Sequence, residues 1–435
     1  MQTVNKRHIM PAVNLTCVTT DRFKTGLITV NIITKLSNSS ASKNALLPRV
    51  LRRGTSLHPD IESIAQYLDE LYGASVFPVV RKIGELHSVG LCAEFVDDDF
   101  IPGDSTILEN ICDFLGEMLL SPATRGGLLL STYVDSEKKN LIDDIRSEIN
   151  DKQRYAVTRL IEQMCSGEAY GTGSLGTETT ASSINALSLT KHYRNLIGTS
   201  QIEIFYCGAA AIERVESALT TAFAALPRTA DLNTLTTEVL FGTLDNVKVF
   251  NEVLDVTQGK MTVGFRLGDI MKAPNYPAIT LFNAIYGGSV TSKLFINVRE
   301  RLSLCYYINS VIDRLKGVMI VASGVDVSNF SDAYDEIIAQ LDAVKNGDIT
   351  EWEFTSAKRY VVNSIRARLD RQTSLEGMYF EFSVLGVLFT PEEFAGICDG
   401  VTIDEVIEVA KSVKLDSVYY LRGTEAVGTD EDQEL

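Results

Sequence analysis

Apolar and polar residues broadly alternate along Leu27–Thr34 and again along Gly259–Arg266. That period of two is the mark of a strand in a sheet with one covered face. After the first such run the period lengthens. Between Asp60 and Gly73, the residues Ile61, Ile64, Ala65, Leu68 and Leu71 recur at helical spacing, which predicts a capped helix with those five turned inward and Gly73 as its stop. Strand-like runs follow at Leu91–Val96 and, far along the chain, at Val318–Val325. The second run leads into a helix starting after Ser331, with Ile337, Leu341 and Val344 inward and Gly347 as its stop. Thr350 and Glu353 have the spacing of a capping box and open the next helix.

The order strands, helix, strands, helices thus occurs twice. The stretch Glu137–Arg146 lines up with Ala357–Arg366 at the same place in both patterns. Ala224–Asn233, with its Pro227, interrupts the pattern and marks the joint. The expectation is an α+β fold of two similar halves, each an antiparallel-rich sheet covered on one face by helices. The halves are residues 1–223 and 241–427, joined by a linker at 224–240 and followed by an acidic tail at 428–435.

Composition narrows the partners. The chain has 435 residues, 45% of them apolar, enough for more than one core. Its formal net charge of −17, from 40 basic and 57 acidic residues, repels nucleic acid and anionic lipid, so neither is an expected partner. No stretch approaches the ~20 apolar residues of a membrane span, and the polar N-terminus lacks the apolar core of a secretory signal. The seven cysteines are scattered without a Cys-x-x-Cys pair, as in a reducing compartment. Cytoplasmic localisation is the expectation.

The densest motif is Gly287–Tyr307: a small-residue turn, then Ser292-Lys-Leu-Phe295, then Arg299 and, seven residues on, Tyr306. A guanidinium and a phenol can both donate hydrogen bonds to the charge that grows on a carbonyl oxygen during hydrolysis. The motif resembles the C-terminal half of the insulinase-like (pitrilysin) zinc metallopeptidases. Members of that family carry His-x-x-Glu-His on a helix of the N-terminal half, followed by Gly-Thr. Gly54-Thr55 provides the landmark here, but Ala45, Pro48 and Arg49 stand at the first His, the Glu and the second His. Alanine has no ligand atom, and arginine does not deprotonate. A later carboxylate ligand of the family falls on Asp144, seven residues after Glu137; one carboxylate does not hold zinc. His8, His58, His87 and His192 are isolated from one another in sequence and read as surface or hydrogen-bonded side chains.

The resemblance implies that the two halves form a bowl, and that two bowls close face to face around a chamber. It is most specific for the ligand-less bacterial branch called YfmF-like, which the segment Asp151-Lys-Gln-Arg-Tyr-Ala156 with Arg159 also fits. Members of that branch are encoded beside a chain with an intact zinc motif. It follows from the resemblance that this chain has no cofactor of its own, zinc being expected in the partner. The chain would be a non-catalytic subunit of a two-chain zinc peptidase, inactive alone. Its partners would be a homologous chain carrying His-x-x-Glu-His and an unfolded peptide substrate. Arg299 and Tyr306 would act as transition-state donors to the partner's site. The resemblance also implies a peptide-binding edge strand at Gly73, Ala74, Ser75 and Val76.

Each of these has an ordinary alternative. Arg299 would then pair with a nearby acid, Tyr306 would pack in the core, and the Gly73–Val76 strand would be covered. Gly287-Gly288 lacks the Gly-Lys-Ser/Thr ending of a phosphate loop and reads as a turn. Arg49, Arg52 and Arg53 form a solvated face or ion pairs, or receive an acidic peptide. A purely structural or peptide-binding protein with no role in hydrolysis is the second reading of the chain. An enzyme built on Cys305 is the third, with no base in view.

Overall fold

The computed structural model describes residues 3–103, 105–229, 232, 246–271 and 273–423. Of the linker at 224–240, only 224–229 and 232 lie among the described residues, and the acidic tail at 428–435 lies outside them. The strands are β1 Thr3–Met10, β2 Val13–Thr19, β3 Thr25–Lys35, β4 Ser75–Ile83, β5 Leu86–Val96, β6 Thr124–Arg125, β7 Leu128–Leu129, β8 Gln201–Gly208, β9 Lys248–Leu254, β10 Gly259–Arg266, β11 Cys305–Asp313, β12 Val318–Val325 and β13 Lys414–Gly423. The helices are α1 Ala41–Leu51, α2 Ile61–Glu70, α3 Ile107–Leu120, α4 Ser131–Ser147, α5 Lys152–Met164, α6 Glu178–Ser182, α7 Ala186–Thr199, α8 Ile212–Ala222, α9 Tyr276–Tyr286, α10 Phe330–Lys345, α11 Glu351–Ala367, α12 Gln372–Leu385, α13 Pro391–Gly400 and α14 Ile403–Ser412.

Two sheets carry the fold. The first runs β1-β2-β8-β3-β5-β4 and the second β11-β12-β10-β13-β9. Read from β9, the second repeats the first from β2 onward, including the single parallel pair, β2 with β8 and β13 with β9. The duplication seen in the periodicity is therefore a duplication of topology, and both sheets are antiparallel-rich.

The compact units do not coincide with the two halves of the chain. One comprises Met1–Arg146, Thr172–Thr236 and Arg371–Leu388; the other comprises Ser147–Gly171, Thr237–Asp370 and Phe389–Leu435. Each half thus lends one helix to the other's unit: α5 goes to the second sheet and α12 to the first. The loan explains the burial of the central strands. Ile28, Val30 and Ile32 of β3 face the main core of the first unit, with Leu46 and Leu47 of α1 and Leu115 of α3. The opposite face of β3 meets α12, where Asn31 donates to Glu376 and Ile33 packs on Phe380. In the second unit Ala156, Leu160 and Met164 of α5 pack on Val318, Ile320, Tyr419 and Leu421. A Cβ on Gly264 would come 2.6 Å from the Met164 sulfur, so the glycine lets this helix lie close to the sheet.

Polar groups lock both loaned helices. Glu252 accepts from Tyr155 and Arg159 of α5 and from Tyr419. Just beyond α5, Glu168 joins Arg266 at 2.5 Å and the fully buried Lys316 at 2.6 Å, and Arg266 reaches Asp416 at 2.7 Å. Two cations and two anions balance, as burial of charge requires. On α12, Glu376 takes Arg81.

Most local expectations hold. Asp60 caps α2 with a capping box, Thr350 and Glu353 do the same for α11, and Gly73 and Gly347 have positive φ. The inward face of α2 differs from the expected one. Ile61 is exposed and so is Ala65, while Ile64 and Leu71 are buried. Tyr67 turns inward and stacks against His58 and Phe114, rotating the helix towards a 64/67/68/71 face. Helix α10 starts at Phe330, slightly before the Ser331 expectation.

Candidate functional site

In the second unit, the segment before β11 is not an ordinary helix. Leu294–Arg301 forms a π-helical turn, in which Leu302 N–H donates to Asn297 O at 3.0 Å. Such turns are uncommon and cluster at functional sites. The chain leaves the turn through Ser303, at φ 53°, a left-handed conformation that serine adopts at a cost of ~1 kcal/mol. It then enters β11 with a bulge: Cys305 pairs with Val325 and Tyr307 with Gly324, leaving Tyr306 unpaired between them. A bulge re-aims a side chain, and Tyr306 is 64% exposed.

Arg299 lies beside it. Its Nε donates to the Tyr306 carbonyl at 2.9 Å, its Nη1 contacts Glu300 at 3.0 Å, and its guanidinium stacks 4.6 Å from the Phe295 ring centroid. Arg299 and Tyr306 line one open pocket of about 390 Å3 together with Glu300, Ser303 and Asp326. The Tyr306 phenol has no partner among the described residues. Cys305 is buried, and burial pushes its thiol up to about 11, so it is not a thiolate at neutral pH. The glycine turn positions the whole segment. A Cβ on Gly287 would meet Leu294 and Ser310 at 2.7 Å, and its carbonyl accepts from Ser310 N–H.

In the first unit, α1 carries the residues that the resemblance sets at the zinc positions. Ala45 is fully buried in the core and Pro48 lies inside the helix. Arg49 Nη1 donates to Asp144 Oδ2 at 2.6 Å, and one turn on Arg53 reaches Glu137 at 3.2 Å. Asp144 and Glu137 of α4 therefore each face a guanidinium, Arg49 of α1 and Arg53 just beyond its end. These residues do not fit zinc. Among the described residues, no group of three or more His, Cys, Asp or Glu is arranged to hold a metal ion.

Sequence reasoning missed the neighbour of Ala45. Asn44 sits fully buried between two histidines, accepting from His192 Nε2 at 2.6 Å and donating to His87 Nδ1 at 3.1 Å. Burial pushes both imidazoles down to about 4. No local signal reveals this cluster, because His192 lies 148 residues from Asn44.

Gly73, Ala74, Ser75 and Val76 lead into β4, an edge strand of the first sheet. Arg52 Nε donates to the Val76 carbonyl at 2.7 Å, and Pro78, two residues on, has no N–H to offer. One edge strand of each sheet, β4 and β11, thus carries a guanidinium on a main-chain carbonyl near its start: Arg52 on Val76 and Arg299 on Tyr306.

Two sheets of the same topology, each antiparallel-rich and packed with helices, define the class of protein: an α+β fold of the peptidase M16 type. Residues 183–361 match the model of the Peptidase M16 inactive domain. The chain is 34% identical, over 408 residues, to the probable inactive metalloprotease YmfF of Bacillus subtilis (strain 168), covering 94% of this chain and 95% of that one. The chain belongs to the M16 peptidase family, the insulinase-like or pitrilysin family. A conserved protein from Enterococcus faecalis V583 has a similar structure, with TM-score 0.87 and 28% identity over 97% of this chain and 98% of that one. The peptidase M16 inactive domain from Pseudomonas fluorescens shares the fold, with TM-score 0.77 and 15% identity over 97% of this chain and 98% of that one. Among the described residues, no helix is long and apolar enough to cross a membrane.

Proposed function

We propose that this chain is the non-catalytic subunit of a two-chain zinc peptidase of the cytoplasm, binding unfolded peptide and completing a partner's site with Arg299 and Tyr306. The partner is a homologous chain with an intact His-x-x-Glu-His motif and its zinc. One observation carries the reading: the bulge sets Tyr306 out of the strand, with a free phenol beside Arg299 in an open pocket. A scaffold has no use for a phenol held out of register. Gly73–Val76 is a second peptide contact in this reading, and strand addition there displaces Arg52 from Val76. The test is turnover of an unfolded peptide by the partner alone, by this chain alone and by both. Activity that needs both chains, with zinc only in the partner, supports the proposal. Stoichiometric zinc and cleavage in this chain alone refute it.

A purely structural or peptide-binding role, without hydrolysis, is the second reading. It is favoured by the engagement of Arg299 Nε and Nη1 with Tyr306 O and Glu300. Unchanged turnover in a Tyr306→Phe complex decides for it.

A further inference from the structure

The motif Asp151–Ala156 has two sides in the structure, and only one of them is accounted for by folding. Tyr155, with Arg159 a turn later, ties α5 to Glu252. Asp151, Gln153 and Arg154 turn instead towards a cavity of about 490 Å3 in the second unit, between α5 and the β11–β12 edge of the sheet. Val157 and Ile161 form one wall, and Val311, Val318 and Ile320 form the other. Val311 is 59% exposed although it lies on a strand in an apolar setting. The volume falls within the ~300–1,000 Å3 of small-ligand sites.

The charges at the mouth are not equivalent. The Asp151 carboxylate accepts from Arg154 N–H at 3.0 Å and caps α5. The Asp313 carboxylate accepts from the N–H groups of Leu315 at 3.0 Å and Lys316 at 3.1 Å. Each acid is therefore supplied with donors by the chain itself. The Arg154 guanidinium is exposed and has no hydrogen bond or ion pair among the described residues. It stands in the first turn of α5, where the helix dipole also favours an anion. The mouth thus offers an unpaired cation above an apolar pocket.

An added strand is a poor fit at this place. On the outer edge of β11, Ser310 N–H donates to Gly287 O, Ser310 O accepts from Asn283, and Tyr306 O accepts from Arg299. At Tyr306 and Ser310 the edge is taken by the chain's own groups, whereas the cavity beside it is open. What fits is the end of a chain: one or two apolar side chains in the pocket and a carboxylate on Arg154. We propose that this cavity binds the C-terminal residue of a peptide, apolar in side chain, through its terminal carboxylate and Arg154. The proposal rests on the peptide-binding part of the reading above and adds the class of peptide end it prefers.

The experiment uses the full chain and fluorescein-labelled unstructured hexapeptides ending in Leu with a free carboxylate, in Leu amide, or in Lys with a free carboxylate, followed by fluorescence anisotropy. The expected order is Leu acid tightest, with the amide and the Lys peptide each weaker by about tenfold. Arg154→Glu should erase the acid–amide difference, and Val311→Arg should weaken the Leu acid to the level of the Lys peptide. Both positions are exposed, and unchanged circular dichroism establishes that the variants are folded. Equal binding of acid and amide, or a full effect retained in Arg154→Glu, overturns the proposal. So does competition by octanoate as strong as by the peptide, which makes the site one for small acids. Turnover with the zinc-bearing partner reads the Arg299 and Tyr306 proposal separately. Peptide binding that persists without end preference removes only the cavity.

Discussion

Arg299 Nε donates to the main-chain carbonyl of Tyr306 at 2.9 Å, so the guanidinium fixes the backbone of the residue whose phenol it accompanies. The two roles separate under mutation. Tyr306 is exposed and its phenol is unbonded, so Tyr306→Phe should leave stability within about 0.5 kcal/mol. In a complex with a zinc-bearing homologue, the same change should lower turnover by roughly 10²–10³ if the phenol is a transition-state donor. Arg299→Ala should lower turnover similarly and also cost about 1 kcal/mol, through the lost bond to Tyr306 O. Steady-state kinetics and urea unfolding of both variants distinguish these outcomes.

Arg52 makes the matching contact on the other sheet, with its Nε 2.7 Å from Val76 O. A peptide adding to β4 competes with that bond. Arg52→Ala should therefore strengthen binding of an extended peptide at Gly73–Val76 severalfold, whereas the wild type binds there weakly. A photo-crosslinker at Ser75 reads the site directly. Equal labelling in both proteins would mean that the guanidinium does not guard the edge.

Glu168 secures the segment that follows α5 by bridging Arg266 and Lys316. Removing it leaves a buried lysine and an arginine with one acid fewer. Glu168→Ala should destabilise the protein by roughly 3–5 kcal/mol. Because α5 belongs to the unit built mainly from the other half of the chain, the loss should appear in the second unit, as faster amide exchange in β10 and β12. Uniform exchange across both units would argue against this.

Acid should weaken the first unit through His87 and His192. Burial lowers both imidazoles from 6.5 to about 4. Between those values the unfolded chain binds more protons than the folded one, so stability is full above about pH 6.5 and falls as pH drops towards 4. His192→Gln can still donate to Asn44 Oδ1 but cannot take up a proton. Its melting temperature should fall less steeply than the wild type's between pH 6.5 and 4. Parallel slopes would remove His192 from the account.

How much of this was legible in the chain follows the range of the forces involved. Strands β10 and β12 match Gly259–Arg266 and Val318–Val325 residue for residue, because alternation in the first and a short apolar run in the second are both local patterns. The capping boxes of α2 and α11 are likewise three-residue devices. Arg299 and Tyr306 stand out in the sequence because only seven residues separate them, and Ala45 and Arg49 offer no zinc ligand because alanine and arginine are incapable of that chemistry at any position.

The ion pair between α1 and α4 could not be read. Arg49 meets Asp144 across 95 residues and Glu376 meets Asn31 across 345, and no local pattern encodes such a meeting. The face of α2 was misjudged for the same reason, since Tyr67 turns inward only where Phe114 and His58 are present to receive it. The sequence by itself determined the main strands, the capped helices and the duplication. The tertiary structure alone decided that each half lends a helix to the other's unit, that Tyr306 stands out of its strand and that a guanidinium occupies one edge strand of each sheet. These depend on burial and on charges brought together from distant positions, which only the folded chain makes neighbours.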